Sequence, residues 1–187
     1  MDTKLTGKTR IESDLIGARE IPAEALYGVQ TLRGIENFSI SKFRLSEYPL
    51  FIKGLAITKM AAAMANFELG LLTVEQKDAI IAACGEILDG KHHDQFPVDM
   101  IQGGAGTTTN MNANEVIANR ALELMGHERG EYQYCSPNDH VNCSQSTNDA
   151  YPTAIHIGMY FKHLQLLPHL LYVSTLERKD AGYTSDV

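Results

Sequence analysis

The chain reads as mainly α-helical with a few short strands, and three observations carry that expectation. An Ala/Met/Leu-rich run from Pro49 to Gly70 has helical composition. Thr73 followed by Gln76 is a capping-box signature ahead of apolar residues at helical spacing. Gly and Pro punctuate the first 40 residues closely enough to leave room only for loops, short strands or single turns. With 187 residues, 44% of them hydrophobic and 21% charged, the chain can bury a substantial core and is neither disordered nor fibrous.

Taken in order, Gly17, Pro22, Gly28 and Gly34 space the mixed runs of the opening segment. The Ala density after Pro49 lets other helices approach closely. Its longest apolar stretch, Leu50 to Leu72, is interrupted by Lys53, Lys59, Asn66 and Glu68, so it reads as a buried helix rather than a membrane span. A second helix is expected over 74–89, with Ala79, Ile80, Ala83, Ile87 and Leu88 on one face and Gly90 as its stop. "KHHDQFPVD" follows as a solvated loop, since neighbouring His92, His93 and Asp94 rarely converge on one metal ion. A third helix is expected to start at Asn112 or Asn114 and run to Met125, burying Ile117, Ala121, Leu124 and Met125. A fourth begins near Pro152, carries Ile155, Met159, Leu166 and Leu167, and is expected to kink or end at Pro168. The ending "HLLYVSTLERKDAGYTSDV" starts as a helix with no partner for its apolar side, so the chain reads as unfinished.

The formal charge of -7, with no Lys/Arg cluster, argues against a nucleic-acid partner. The polar start "MDTKLTGKTRIESD" lacks a signal-peptide core and points to the cytoplasm. Cys84, Cys135 and Cys143 are odd in number and lack CxxC spacing, which indicates neither a disulfide framework nor a zinc site. Cys84 reads as a small core residue; Cys143 lies in a polar cluster with no adjacent base.

Two polar clusters gather where helices should begin. In "QGGAGTTTNMNANE", residues 102–115, Gly103, Gly104 and Gly106 let a ligand approach the main chain, and Thr107, Thr108, Thr109, Asn110 and Asn112 supply donors beside a helix start that favours an anion. A carboxylate suits this loop better than a nucleotide phosphate, since a P-loop needs a Lys directly after its last Gly and Thr107 stands there. In "CSQSTNDAYPT", residues 143–153, Ser144, Ser146, Thr147, Asn148 and Asp149 repeat the arrangement. Each cluster alone reads as helix capping. Together they supply more donors than two caps use, and two neutral, donor-rich helix starts across a cleft would suit a small dicarboxylate with no metal.

These stretches, with "LYGVQTLRGIENF", "DQFPVDMIQGGAGTTTNMNANEVIANRALELMG" and "SPNDHVNCSQSTNDAYPTAIHI", resemble the aspartase/fumarase superfamily from about Arg10 to Leu167. "QGGAGT" and "STNDAYPT" look more like its aspartase branch than its fumarases, which typically read "TGSGTQTNMN" and "SSNDTFPT". The resemblance implies the N-terminal domain of that fold over residues 1–148 and the start of a central helical-bundle domain over 149–187. It implies a lyase that reversibly deaminates L-aspartate to fumarate and ammonia by anti-elimination through an enediolate, with no cofactor, in a cytoplasmic homotetramer.

By the same resemblance Thr107, Ser146 and Thr147 match positions that hold the β-carboxylate, and Asn148 the one that bonds the departing amino group. "PNDH" resembles a secondary anion-binding loop of fumarases, with Asn138, Asp139 and His140, although His140 reads better as structural. The family's later segments resembling "GRTxLQDAVP" and "GSSxMPxKVNP", the second carrying the Ser base, are not in this sequence. The chain is therefore expected to be truncated, to hold the first of three active-site segments and to be inactive alone. Two alternatives stand beside this one: a fumarase or another fumarate-forming lyase, and a non-catalytic docking or anion-binding fragment.

Overall fold

The computed structural model describes residues 7–180, so the acidic ending from residue 181 onward lies outside the described residues. A hairpin opens the fold: β1 (Thr9–Asp14) pairs antiparallel with β2 (Gly17–Pro22), in register from Thr9 opposite Pro22 to Asp14 opposite Gly17. Asp14 closes its turn by accepting from the Ile16 and Gly17 amides at 2.9 and 3.1 Å, and Arg33 grips the same carboxylate through two nitrogens. That pair holds the Asp14 carboxyl below its ordinary pKa, the Arg33 hydrogen bond being the largest cause.

Five helices follow: α1 (Val29–Asn37), α2 (Pro49–Glu68), α3 (Val74–Leu88), α4 (Thr107–Leu124) and α5 (Thr147–Asp180). Two of the expected helices stand where the sequence puts them. In α3 the Thr73 hydroxyl accepts from the Gln76 amide while the Gln76 side chain accepts from the Thr73 amide, closing the capping box. In α2, Pro49 occupies the first turn, where its missing N–H costs nothing. By length and composition α2 could cross a membrane. Instead it buries Ile52, Leu55, Ala56 and Ala63 against α3, α4 and α5, and Lys59 and Asn66 with them.

Three expectations need correction. The opening segment holds a nine-residue helix, α1, and not only single turns. Helix α4 begins at Thr107, a full turn or more before Asn112, because Gln102 caps it from outside: its side-chain carbonyl accepts from the Thr109 amide at 2.8 Å. Within α4, Ile117 and Ala121 are buried as expected, while Leu124 is exposed and Leu122 is buried in addition. Helix α5 begins at Thr147 rather than near Pro152 and continues past Pro168 to Asp180. After α3 ends, with Gly90 at φ 90°, His93–Gln95 forms a 3₁₀ turn: His92 ahead of it sits at φ 62° with Nε2 2.8 Å from Glu86, and His93 Nε2 lies 2.9 Å from the Ile87 carbonyl.

The core lies among α2, α3 and α4, with Phe96 and Val98 from the connecting segment. Helix α4 is central and buried around most of its circumference, and its polar residues hold the surrounding loops. Asn112 donates to the Gln95 carbonyl at 3.0 Å, and Asn119 to the Leu26 carbonyl at 2.8 Å. Glu115 accepts from the Gly28, Gln30 and Thr31 amides and the Thr31 hydroxyl, at 2.6–3.0 Å, and so caps α1. Loops carry backbone groups that need partners, and a polar central helix supplies them. Against α2, the first part of α5 packs so closely that a Cβ on Gly54 would strike the Ala154 carbonyl. Beyond Gly158 most of the described α5 side chains are exposed.

Candidate active site

The loop before α4 is held by Asp99. Its carboxylate accepts from the Ile40, Ser41, Lys42 and Ile101 amides and from the Ser41 hydroxyl, at 2.6–3.2 Å, which keeps it well below the usual carboxylate range. From that anchor the chain runs through Gln102 and the glycines to Gly106, whose φ of 88° is the left-handed conformation that favours glycine. A Cβ on Gly106 would also overlap the Tyr151 ring, so the start of α4 rests directly on the first turns of α5. Tyr151 is held edge-on against Phe51, with ring centroids 5.4 Å apart.

The two helix starts therefore meet. Between them lies a cavity of about 440 Å³ whose lining includes Gln102, Gly104, Ala105, Gly106, Asn148 and Tyr151, with no charged side chain among the lining residues. Its polarity comes from amides and from two helix N-termini, each carrying a partial positive charge. Of the expected site residues Asn148 lines this cavity and Thr107, Ser146 and Thr147 do not; Thr107 follows Gly106 in the chain, and a Cβ on Gly104 would lie 3.5 Å from its hydroxyl. One turn along α4, Asn110 donates from Nδ2 to the Thr147 hydroxyl at 3.2 Å, a direct bond between the two clusters.

The expected site residues are committed to different degrees. The Thr107 hydroxyl and the Asn148 side-chain amide have no hydrogen-bond partner among the described residues, and both residues are exposed. Ser146 caps α5: its hydroxyl accepts from the Asn148 amide at 3.2 Å and Asp149 returns an acceptor to the Ser146 amide at 3.0 Å. That hydroxyl still has its proton to donate, and so does Thr147. Other members of the first cluster are drawn into the fold, although the buried side-chain oxygens of Asn110 and Asn112 have no hydrogen-bond partner among the described residues. Thr109 is buried and bonded to Gln102, Asn112 holds the Gln95 carbonyl, and the Thr108 methyl packs against Gly34.

Pro137–Val141 forms a single π-helical turn. Its leading amides, those of Asn138 and Asp139, donate to the Ser136 hydroxyl, which in turn donates to Asp139. His140 accepts the Ser136 amide on Nδ1 at 2.7 Å, its Nε2 lies 3.2 Å from the Gln76 side-chain nitrogen, and burial lowers its pKa. Its ring thus serves the turn, in keeping with a structural role. Burial pushes the Cys84 and Cys135 thiols up to about 12, which leaves both unreactive near neutral pH. Among the described residues no group of three or more His, Cys, Asp and Glu is placed to hold a metal ion.

Sequence reasoning missed the polar floor beneath the site. Lys59, wholly buried on α2, donates from Nζ to Asn142 Oδ1 at 2.9 Å and to Gln145 Oε1 at 3.0 Å. Asn142 Oδ1 also receives Asn110 and Asn114 at 3.1 and 3.2 Å. The available signal was one Lys inside an apolar helix, which marks an interrupted membrane span as readily as a buried cation with partners.

A family model described as "Lyase" matches residues 17–184. The chain belongs to this family of lyases. Among its relatives, aspartate ammonia-lyase of Helicobacter pylori strain J99 is 64% identical over 151 residues, covering 81% of this chain and 32% of that protein. Aspartate ammonia-lyase of Escherichia coli strain K12 is 58% identical over 164 residues, covering 87% and 34%. Among solved structures, a fumarate lyase:delta crystallin from Brucella melitensis in native form superposes with a TM-score of 0.83 at 53% identity, over 85% of this chain and 37% of that one. A class II fumarase from Schistosoma mansoni gives 0.83 at 36% identity, over 92% and 37%. The fold is thus the N-terminal part of the aspartase/fumarase fold, and the chain spans about a third of the length of the curated relatives it matches.

Proposed function

We propose that this chain is the substrate-binding part of an aspartate ammonia-lyase, working on L-aspartate and fumarate. The observation that carries the reading is the unspent pair of Thr107 and Asn148 at two helix starts that share one uncharged cavity. In the reaction a base takes a Cβ proton of L-aspartate, the electron pair delocalises into the β-carboxylate as an enediolate, and the Cα–N bond then breaks to release ammonia and leave fumarate. Thr107, Ser146 and Thr147 donate to the carboxylate as its charge grows, and Asn148 bonds the amino group. Each preoriented donor is worth about 2.7 to 4 kcal/mol by analogy with an oxyanion hole. None of the four residues can serve as the base near neutral pH; in this reading that role falls to the Ser of the later segment that the family resemblance implies.

The chain's 64% and 58% identities to aspartate ammonia-lyases favour aspartate over malate as the substrate. We place the domain boundary at 148/149, within the first turn of α5, and the active form in a cytoplasmic homotetramer built on that helix. The test joins this segment to the remaining two-thirds of the Escherichia coli relative and follows fumarate by its ultraviolet absorbance. The chimera is expected to deaminate L-aspartate, and the segment alone to be inactive. Turnover of malate but not aspartate would instead make it a fumarase.

A further inference from the structure

The two donor clusters sit on different helices, and something must fix one against the other. Beside the apolar contacts of the α2–α4–α5 junction lies a connected group of buried polar side chains. Lys59, with no solvent exposure, bonds Asn142 and Gln145, the residues that lead the chain into Ser146. Asn142 gathers Asn110 and Asn114 on the same oxygen, its own amide returns to the Gln145 carbonyl at 3.1 Å, and Asn110 reaches Thr147.

We propose that Lys59 is a positioning residue for the donor set: by fixing Asn142 and Gln145 from below, it sets how the Asn110–Thr147 bond holds the start of α5, and with it Asn148, against the start of α4. This rests on the reading of the cavity as the aspartate site. A buried ammonium held only by neutral amides is expensive to keep, and a well-packed apolar residue would serve stability better. Its retention points to geometry. Burial lowers its pKa to about 7, with Asp149 and Cys84 as the charged and titratable groups that oppose the shift. Two acceptors need only two N–H groups, so the same bonds persist whether Lys59 is ammonium or amine. Misplacing a reacting group by about 1 Å costs on the order of 10²-fold in rate, which is the effect such a residue controls.

The test is hydrogen exchange of the full chain with Lys59→Met. Amides 142–150 are expected to exchange at least about tenfold faster while those of α3 keep their protection, since local and global opening are separable. An unchanged segment 142–150, or uniform acceleration through α3 and α4, would overturn the proposal. Should the Met variant not fold, Lys59→Gln, which keeps an amide donor, is read by the same criterion. In the chimera, Lys59→Met is expected to lower kcat about 10²-fold with KM within about twofold. A chimera that fails on L-aspartate with Lys59 intact would sink the substrate assignment, and the exchange result would still decide the role of Lys59.

Discussion

Thr107 and Asn148 are exposed, and among the described residues no hydrogen bond of the fold engages their polar side chains. Thr109, Asn112 and Glu115 lie within eight residues of Thr107, yet each is bonded to a loop or a helix start. Replacing Thr107 with Ala therefore removes no folding contact seen here. Its expected cost appears in catalysis, as a fall of about 10²- to 10³-fold in kcat for L-aspartate in the chimera with the melting temperature unchanged. Lys59 allows a different measurement. Its folded pKa is about 7, whereas an unfolded Lys titrates near about 10.4. Between those values the unfolded chain holds a proton that the folded chain has released, so stability rises with pH across that window. Below it both states are protonated and the gain is gone. The unfolding free energy of the chain minus that of Lys59→Met, from urea titrations, should climb between about pH 7 and about pH 10. A flat difference would mean that Lys59 is hydrated.

Helix α3 was legible because its signals are local: cap, reciprocal capping residue, apolar face and stop all lie within 18 residues. Helix α1 was not, for a physical reason. Its N-cap, Gly28, has no side chain, and the capping carboxylate is Glu115, 87 residues further on. Nothing within the nine residues of α1 announces its beginning. The same holds for α4, whose N-cap is Gly106 and whose cap comes from Gln102, so the Thr/Asn run that resembled a preceding cluster is helix already. At the site, the clusters were visible as composition, but which members remain free depends on tertiary partners that no local pattern reveals. Glu115 tests this account. Burial pushes its carboxyl up while four donors pull it down, and Glu115→Gln turns one acceptor into a donor facing N–H groups. A loss of about 1–3 kcal/mol in urea unfolding is expected, with faster exchange confined to α1 amides. An unaltered α1 would show that the helix does not depend on its distant cap.

At the level of the entire chain the unresolved tension is α5. Its 34 residues make a rod about 50 Å long, of which the stretch through Gly158 packs on α2. Past that point Met159, Leu164, Leu170, Leu171, Tyr172 and Val173 are each about half exposed or more. Two considerations set what such a helix can do in water. A helix draws most of its stability from packing rather than from propensity, and this many exposed apolar side chains mark an interaction surface. Packing against an equivalent helix would answer both, since burying the face supplies the stability that the segment lacks. The helical content of the chain should therefore rise with concentration in far-ultraviolet circular dichroism, in step with its mass by light scattering. Replacing Leu164 and Leu171 with Glu places charges on the exposed apolar stretch. That variant is expected to stay monomeric and to lose helicity beyond Gly158, while the α2–α3–α4 core keeps its exchange protection. If the unsubstituted chain were instead monomeric with α5 fully helical at every concentration, the exposed apolar side chains would need no partner, and the homotetramer proposed around them would lose its physical basis.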